Sequence, residues 1–235
     1  MTNIATRLAD VHQRIADAAR NAGRAPEEIA LVAVSKEVTA DAVTEALAAG
    51  QRDFGENRAQ ELLAKAGRLE AEPVAGAAPV WHFIGRLQRN KVKTIAPHVT
   101  LWHSVDRAEL GTEIARHAPG ARVLVQVNVA GEDRKGGCAS TDVAPLVETL
   151  VDLGLAVDGL MTVPPLVGDP RPHFASLRDL AMRLGLPVLS MGMSGDFEAA
   201  IGEGSTLVRV GRAVFGPRSG PGTRVPPVGG GDDRL

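Results

Sequence analysis

The residue best placed to do chemistry is Lys36, in the run LVAVSKEVTA at 31–40. Apolar and small residues lead straight into Ser35 and Lys36, and a helical pattern follows, so the lysine stands where a buried strand ends. Partial removal from water lowers a lysine's pKa, and a neutral amine attacks carbonyls to form a Schiff base. Class I aldolases use such a lysine, and so do proteins that work with or carry pyridoxal 5′-phosphate (PLP). A solvated surface lysine is the plain alternative.

Near the end of the chain, SMGMSGD (190–196) and LVRVGR (207–212) combine glycines, Ser194 and two arginines after apolar runs. Glycine lets backbone N–H groups approach an anion, and a following helix N-terminus adds positive potential. Such loops suit a phosphate. Ser194 followed by Gly195, Asp196, Phe197 and Glu198 would equally well cap a helix. Arg209 sits inside an apolar run and must meet an acceptor, either a structural partner or the ring nitrogen of a bound heterocycle.

Two further stretches are dense in polar residues. GENRAQE (55–61) carries Asn57, and WHFIGRLQRNKVK (81–93) carries His82 with the basic run Arg86, Arg89, Lys91 and Lys93. His82 reads equally as a satisfied core histidine, and the basic run as a solvated helix face. Asn128 and Met161 end two later apolar runs. An inward asparagine needs partners, and a methionine can pack on a flat ring. Lys135, Gly136 and Gly137 read as an exposed turn. No His/Cys/Asp/Glu cluster has metal-ligand spacing, and no G-x-S-x-G elbow supports a serine hydrolase.

The elements that must position these residues repeat along the chain. Short apolar, β-branched runs stand near 31–35, 52–54, 80–84, 100–104, 122–129, 156–162, 187–191 and 206–210, with helical periodicity between them. Strands alternating with helices pair in parallel and are buried on both faces. Eight of them predict an α/β protein of the (β/α)8 TIM-barrel type, whose active site lies at the C-terminal ends of the strands. A doubly wound open sheet should show G-x-G-x-x-G after its first strand, and none is there. Ile4, Leu8, Val11, Ile15 and Ala18 mark one face of an extra N-terminal helix that ends near Gly23 and Pro26. Residues 1–216 are thus expected to form one barrel domain. The Pro/Gly-rich stretch 217–235 has little to bury and reads as a disordered tail.

Composition narrows the functional classes. The 235 residues carry a net charge of −2, which offers no footprint for nucleic acid or an anionic membrane. No apolar run approaches the length of a membrane span, and charges at Arg7 and Asp10 break any secretory-signal pattern. The single cysteine, Cys138, excludes an intrachain disulfide and fits a reducing compartment. A cytoplasmic location follows as the expectation.

Taken in order, LVAVSKEV, FGENRAQE, WHFIGRLQRNK, HSVDR, VLVQVN with KGG, GLMTV, LSMGMSGDFEAAI and GSTLVRVGRAVFG cover about residues 31–216. This set resembles the pyridoxal phosphate homeostasis protein family. The resemblance implies a barrel like the N-terminal domain of alanine racemase, without that enzyme's second domain. It implies that Lys36 carries PLP as a Schiff base. Ser194, Gly211 and Arg212 would hold the phosphate, Arg209 would face the pyridine nitrogen, and Asn57, His82, Asn128 and Met161 would line the ring. Two positions depart from the family pattern: Arg212 replaces a small hydroxyl residue, and Gly195 replaces an acid.

PLP is an electron sink, so its presence first suggests an enzyme. Alanine racemases place a tyrosine opposite the lysine, and this chain has no tyrosine. An arginine at the ring nitrogen also weakens the sink. The expectation is therefore a PLP-binding protein of intracellular PLP homeostasis and delivery, without robust turnover. PLP-accepting apo-enzymes would be its partners, and it would be a monomer or weak homodimer. A PLP-dependent amino-acid racemase or lyase is the first alternative. A class I aldolase acting on a phosphorylated substrate is the second.

Overall fold

A computed structural model describes residues 3–132 and 135–217. Helix α1 (Ile4–Asn21) comes first, followed by β1 (Ala30–Val34) and α2 (Ala40–Ala48). The alternation continues with β2 (Asp53–Glu56), α3 (Ala59–Ala71), β3 (Val80–Phe83), α4 (Arg89–Ile95), β4 (Val99–Val105) and α5 (Ala108–His117). It ends with β5 (Arg122–Gln126), α6 (Val143–Asp152), β6 (Ala156–Met161), α7 (Arg171–Leu184), β7 (Val188–Ser190), α8 (Phe197–Gly202), β8 (Leu207–Val210) and α9 (Arg212–Phe215). The eight strands pair in sequence order and close into a barrel, with β8 parallel to β1 through Val32–Arg209 and Ala33–Val210. Closure removes the open-sheet alternative and leaves no strand edge.

The strands have the composition their burial requires. In β1 the segment Leu31–Val34 is buried on both faces. Its alternate residues contact either the outer helices or a small interior cluster of Val32, Leu101, Leu124, Met161 and Leu207. Gly159 is needed because a Cβ there would lie 1.9 Å from the Val188 carbonyl oxygen on β7.

Helix α1 packs against α2, α8 and α9, and so covers the β8–β1 seam. Its buried face is Ile4, Leu8, Val11, Ile15 and Ala19. The last position is one residue beyond the expected Ala18, because a step of four from Ile15 continues the stripe. Arg24 donates to the carbonyls of Ile201 (3.2 Å) and Ser205 (2.7 Å), and the Ile4 N–H donates to Glu45 Oε1 (3.0 Å).

Fold class and strand count agree with the sequence reading. The fifth strand stops at Gln126 rather than reaching 129, since Val127 pairs instead with Cys138 of the following loop. The expected tail, 217–235, lies outside the described residues apart from Pro217.

Candidate functional site

Four neighbouring strands bring most of the singled-out residues to one arc of the barrel mouth. Beyond the Ala33–Val210 pair, Val34 stands level with Gly211, and a Cβ on Gly211 would lie 3.2 Å from the Val34 carbonyl oxygen. Lys36 lies two residues further along β1's path and is half-buried. The Arg209 N–H donates to the Gly192 carbonyl (3.0 Å), which ties β8 to the loop holding Ser194. Arg209 Nη2 donates to the Thr162 carbonyl (2.8 Å), directly after Met161 at the end of β6.

A clamp of charged groups fixes the turn that carries Lys36. Lys65, on α3, donates to the Ser35 carbonyl (2.6 Å) and to Glu56 Oε1 (2.5 Å), and Ser35 Oγ donates to the same carboxylate oxygen (2.7 Å). Glu61 Oε2 accepts the Glu37 N–H (2.7 Å) and lies 3.5 Å from Lys65. Glu37 takes φ 60°, a left-handed conformation that costs a non-glycine residue energy and must be held by its surroundings. Glu56 is 0 % and Lys65 6 % exposed. Burial pushes the Glu56 carboxyl above its usual range, against the pull of Lys65 and Ser35. Glu56 and Glu61 fall in the polar stretch noted in the sequence. Lys65 does not, although its spacing of four from Glu61 is the available signal.

Inside the barrel a polar chain crosses the apolar filling. Arg209 Nη1 lies 2.7 Å from Ser190 Oγ, which is 2.9 Å from His103 Nδ1. His103 Nε2 is 2.9 Å from His82 Nδ1, and His82 Nε2 is 2.9 Å from Asp53 Oδ1. Burial, together with His82 and Arg209, holds the His103 pKa well below its usual value, so this ring is neutral. Arginine only donates, so Ser190 accepts from it and turns its own hydrogen to His103 Nδ1. His103 then donates from Nε2 to His82 Nδ1, and His82 donates from Nε2 to Asp53. This arrangement gives each contact one hydrogen with the His103 ring neutral. Arg209 is 4 % exposed, and burial lowers its pKa to about 10, which leaves it protonated near neutrality. His82 is therefore a fully bonded core residue, and His103 and Ser190 are network members that the sequence reading passed over. His103 stands in the HSVDR stretch.

Three local expectations need correction. Ser194 does not cap α8: the helix starts at Phe197 with Asp196 as its cap, and Asp196 Oδ1 accepts the Met193 N–H, closing the turn around Ser194. Asn128 is bound into its own loop, donating to the Glu132 carbonyl (2.9 Å) and accepting the Glu132 N–H (3.2 Å). Lys135 is not a loose surface turn residue, because its ammonium donates to the Pro164 carbonyl (2.7 Å) and pairs with Glu132. The neighbouring Gly137 has φ 116°, and a Cβ there would meet the Asn128 nitrogen at 2.7 Å. Met161 is buried in the interior cluster, and Arg212 is exposed at the start of α9. A cavity of about 750 Å³ beside β2 and β3 includes Asn57 and none of the other eight candidates. Its lining residues lie at or follow the C-terminal ends of β2, β3 and β4, so it opens at the same end of the barrel as Lys36, with Asn57 on its border.

The family of alanine racemase N-terminal domains matches residues 7–219. A pyridoxal phosphate homeostasis protein of Pseudomonas aeruginosa is 47% identical over 228 residues, covering 93% of this chain and 97% of the relative. The chain belongs to the pyridoxal phosphate homeostasis protein family. The Aquifex aeolicus member is 42% identical, covering 92% of this chain and 99% of its own. Among solved structures, PipY of Synechococcus elongatus with PLP bound superposes with a TM-score of 0.78 at 34% identity, over 91% of this chain and all (100%) of that one. Alanine racemase of Corynebacterium glutamicum shares the fold, with a TM-score of 0.66 at 16% identity over 91% of this chain and 62% of the enzyme.

Proposed function

We propose that this protein holds PLP at its barrel mouth as a Schiff base on Lys36 and serves intracellular PLP homeostasis and delivery, without robust turnover. The observation that carries the reading is the convergence of strand ends at one point: Val34, two residues before Lys36, meets Gly211 just past β8, and β8 itself carries the buried cation Arg209. Family membership supports the same ligand, since the PipY structure is of a PLP-bound protein. PLP supplies an aldehyde for an amine, a phosphate and a ring nitrogen.

The residues present fit that group. Lys36 is half-buried and follows directly on the end of β1, among the strand ends of the mouth. The backbone N–H groups around Ser194 and Gly211, with the Ser194 hydroxyl and the Arg212 charge, form a donor set for a phosphate. Arg209 stays protonated and so presents N–H groups, never a lone pair, to a ring nitrogen. Its orientation is fixed by Ser190 and the Thr162 carbonyl. Met161 supplies an apolar, polarizable wall, while Asn57, His82 and Asn128 act as walls and supports rather than as acids or bases. The absence of tyrosine from the sequence removes the second base of alanine racemase. No helix of the described residues is long and apolar enough to cross a membrane. The protein acts as a monomer or weak homodimer, with PLP-accepting apo-enzymes as recipients.

The test is the visible absorption spectrum of wild type beside Lys36→Ala, each incubated with PLP and desalted. A Schiff-base band that survives desalting in the wild type and is missing from a folded Lys36→Ala is the expected result. No band in either protein would overturn the reading. Borohydride trapping of a sugar phosphate on Lys36 without PLP would then favour an aldolase.

A further inference from the structure

The basic run Arg86, Arg89, Lys91 and Lys93 plays no part in the site proposed around Lys36. The fold divides it. Arg86 and Lys91 line the 750 Å³ cavity together with Arg58 and Arg107, while Arg89 and Lys93 do not. Phe83 and Leu87, both buried, supply its apolar floor. Four cations converge there with no carboxylate in the lining, on a chain whose net charge is −2. Such local concentration of one sign focuses an attractive potential on anions.

The walls are pre-set. Arg107 donates to the Leu87 carbonyl (3.1 Å) and pairs with Asp106, which fixes its guanidinium. Arg58 is held 3.4 Å from Glu61, the same carboxylate that secures the Lys36 turn. The side chains of Arg86 and Lys91 make no ion pair among the described residues. Asn57 Oδ1 is a buried acceptor with no partner. An occupant that brings a hydroxyl would satisfy it. The volume is that of a small-molecule site, and arginine forks match phosphate oxygens two at a time.

We propose that this cavity is a second anion site, beside the Lys36 site at the same end of the barrel and bordered by Asn57, that takes a small phosphate ester carrying a hydroxyl group. The claim stands apart from the PLP reading, and its test keeps the two separate. The probe is glycerol 3-phosphate, which has no carbonyl to react with Lys36, titrated calorimetrically into wild type and Lys36→Ala.

Saturable binding of equal strength in both proteins is expected, and the two double variants assign it to the cavity rather than to the phosphate donors near Ser194 and Gly211. Arg86→Gln with Lys91→Gln weakens it by about tenfold or more, whereas Arg89→Gln with Lys93→Gln removes the same charge from outside the cavity and leaves it within about twofold. Circular dichroism checks that each variant is folded. Loss of binding in Lys36→Ala, equal loss in the two double variants, or no saturable binding in wild type would each overturn the proposal.

Discussion

Lys65→Met tests the clamp beneath Lys36. The substitution keeps the aliphatic stem and deletes an ammonium held 2.6 Å from the Ser35 carbonyl and 2.5 Å from Glu56 Oε1. Glu56 is 0 % exposed, and its Oε2 already lacks a partner. Removing one member of a buried pair costs about 3–5 kcal/mol, because the other charge stays buried without compensation. For a chain of this length that is a fall of roughly 6–20 °C in Tm.

The sign of the pH dependence follows from Glu56. Its folded pKa is raised by burial, and loss of Lys65 raises it further. The protonated acid escapes the penalty, so the loss is full at high pH. It shrinks as pH falls through the raised folded pKa towards the unfolded value. Urea unfolding at about pH 7.5 and about pH 5 measures both terms, and Glu56→Gln with Lys65→Met should restore at least about 1 kcal/mol over Lys65→Met alone. A loss below about 1 kcal/mol at the higher pH, or a loss that does not shrink on acidification, would refute the clamp.

Other consequences follow from single observations. His103 is held neutral by burial, so its contribution is complete above pH about 6.5 and declines below it, by up to about 1.4 kcal/mol per pH unit, until its depressed folded pKa is reached. His103→Asn should flatten the acid limb of the stability–pH curve, and an unchanged slope would mean that His103 is not buried neutral. Gly159→Ala places a methyl 1.9 Å from the Val188 carbonyl oxygen and should cost about 3 kcal/mol or more, read as loss of soluble expression or a lowered urea midpoint. Burial raises the Cys138 thiol pKa to about 11. Its alkylation at about pH 8 should be on the order of a hundredfold slower in the folded protein than in urea, as followed by mass spectrometry.

The barrel was legible because its signals are local and repeated. Strands buried on both faces need continuous apolar runs, and seven of the eight stand out in the chain; the weakest, 52–54, overlaps a strand, Asp53–Glu56, whose burial rests on Phe54 and Gly55 beside the charge clamp. Errors fall where local and tertiary demands part. The 122–129 run looks like one strand, yet Val127 finds its partner in Cys138 from the returning loop. Ser194 has the type and context of a cap, but Asp196 takes the turn because its carboxylate reaches the Met193 N–H. Asn128 reads as an inward strand-end residue and instead closes its own loop.

The sequence by itself determined the alternation of strands and helices, the end of β1 just before Lys36 and the absence of tyrosine, since each is a matter of residue type in order. Only the tertiary structure decided which charges meet. Lys65 is 29 residues from Lys36 in the chain and reaches its turn across α3. Asp53, His82, His103, Ser190 and Arg209 come from five strands and form a chain only when the barrel closes around them. Arg86 and Lys91 become cavity walls, and Arg89 and Lys93 do not, although all four share one basic stretch. The physical reason is common to all three cases. Pairing and desolvation depend on distances of a few ångströms between segments far apart in sequence, and local pattern does not encode those distances.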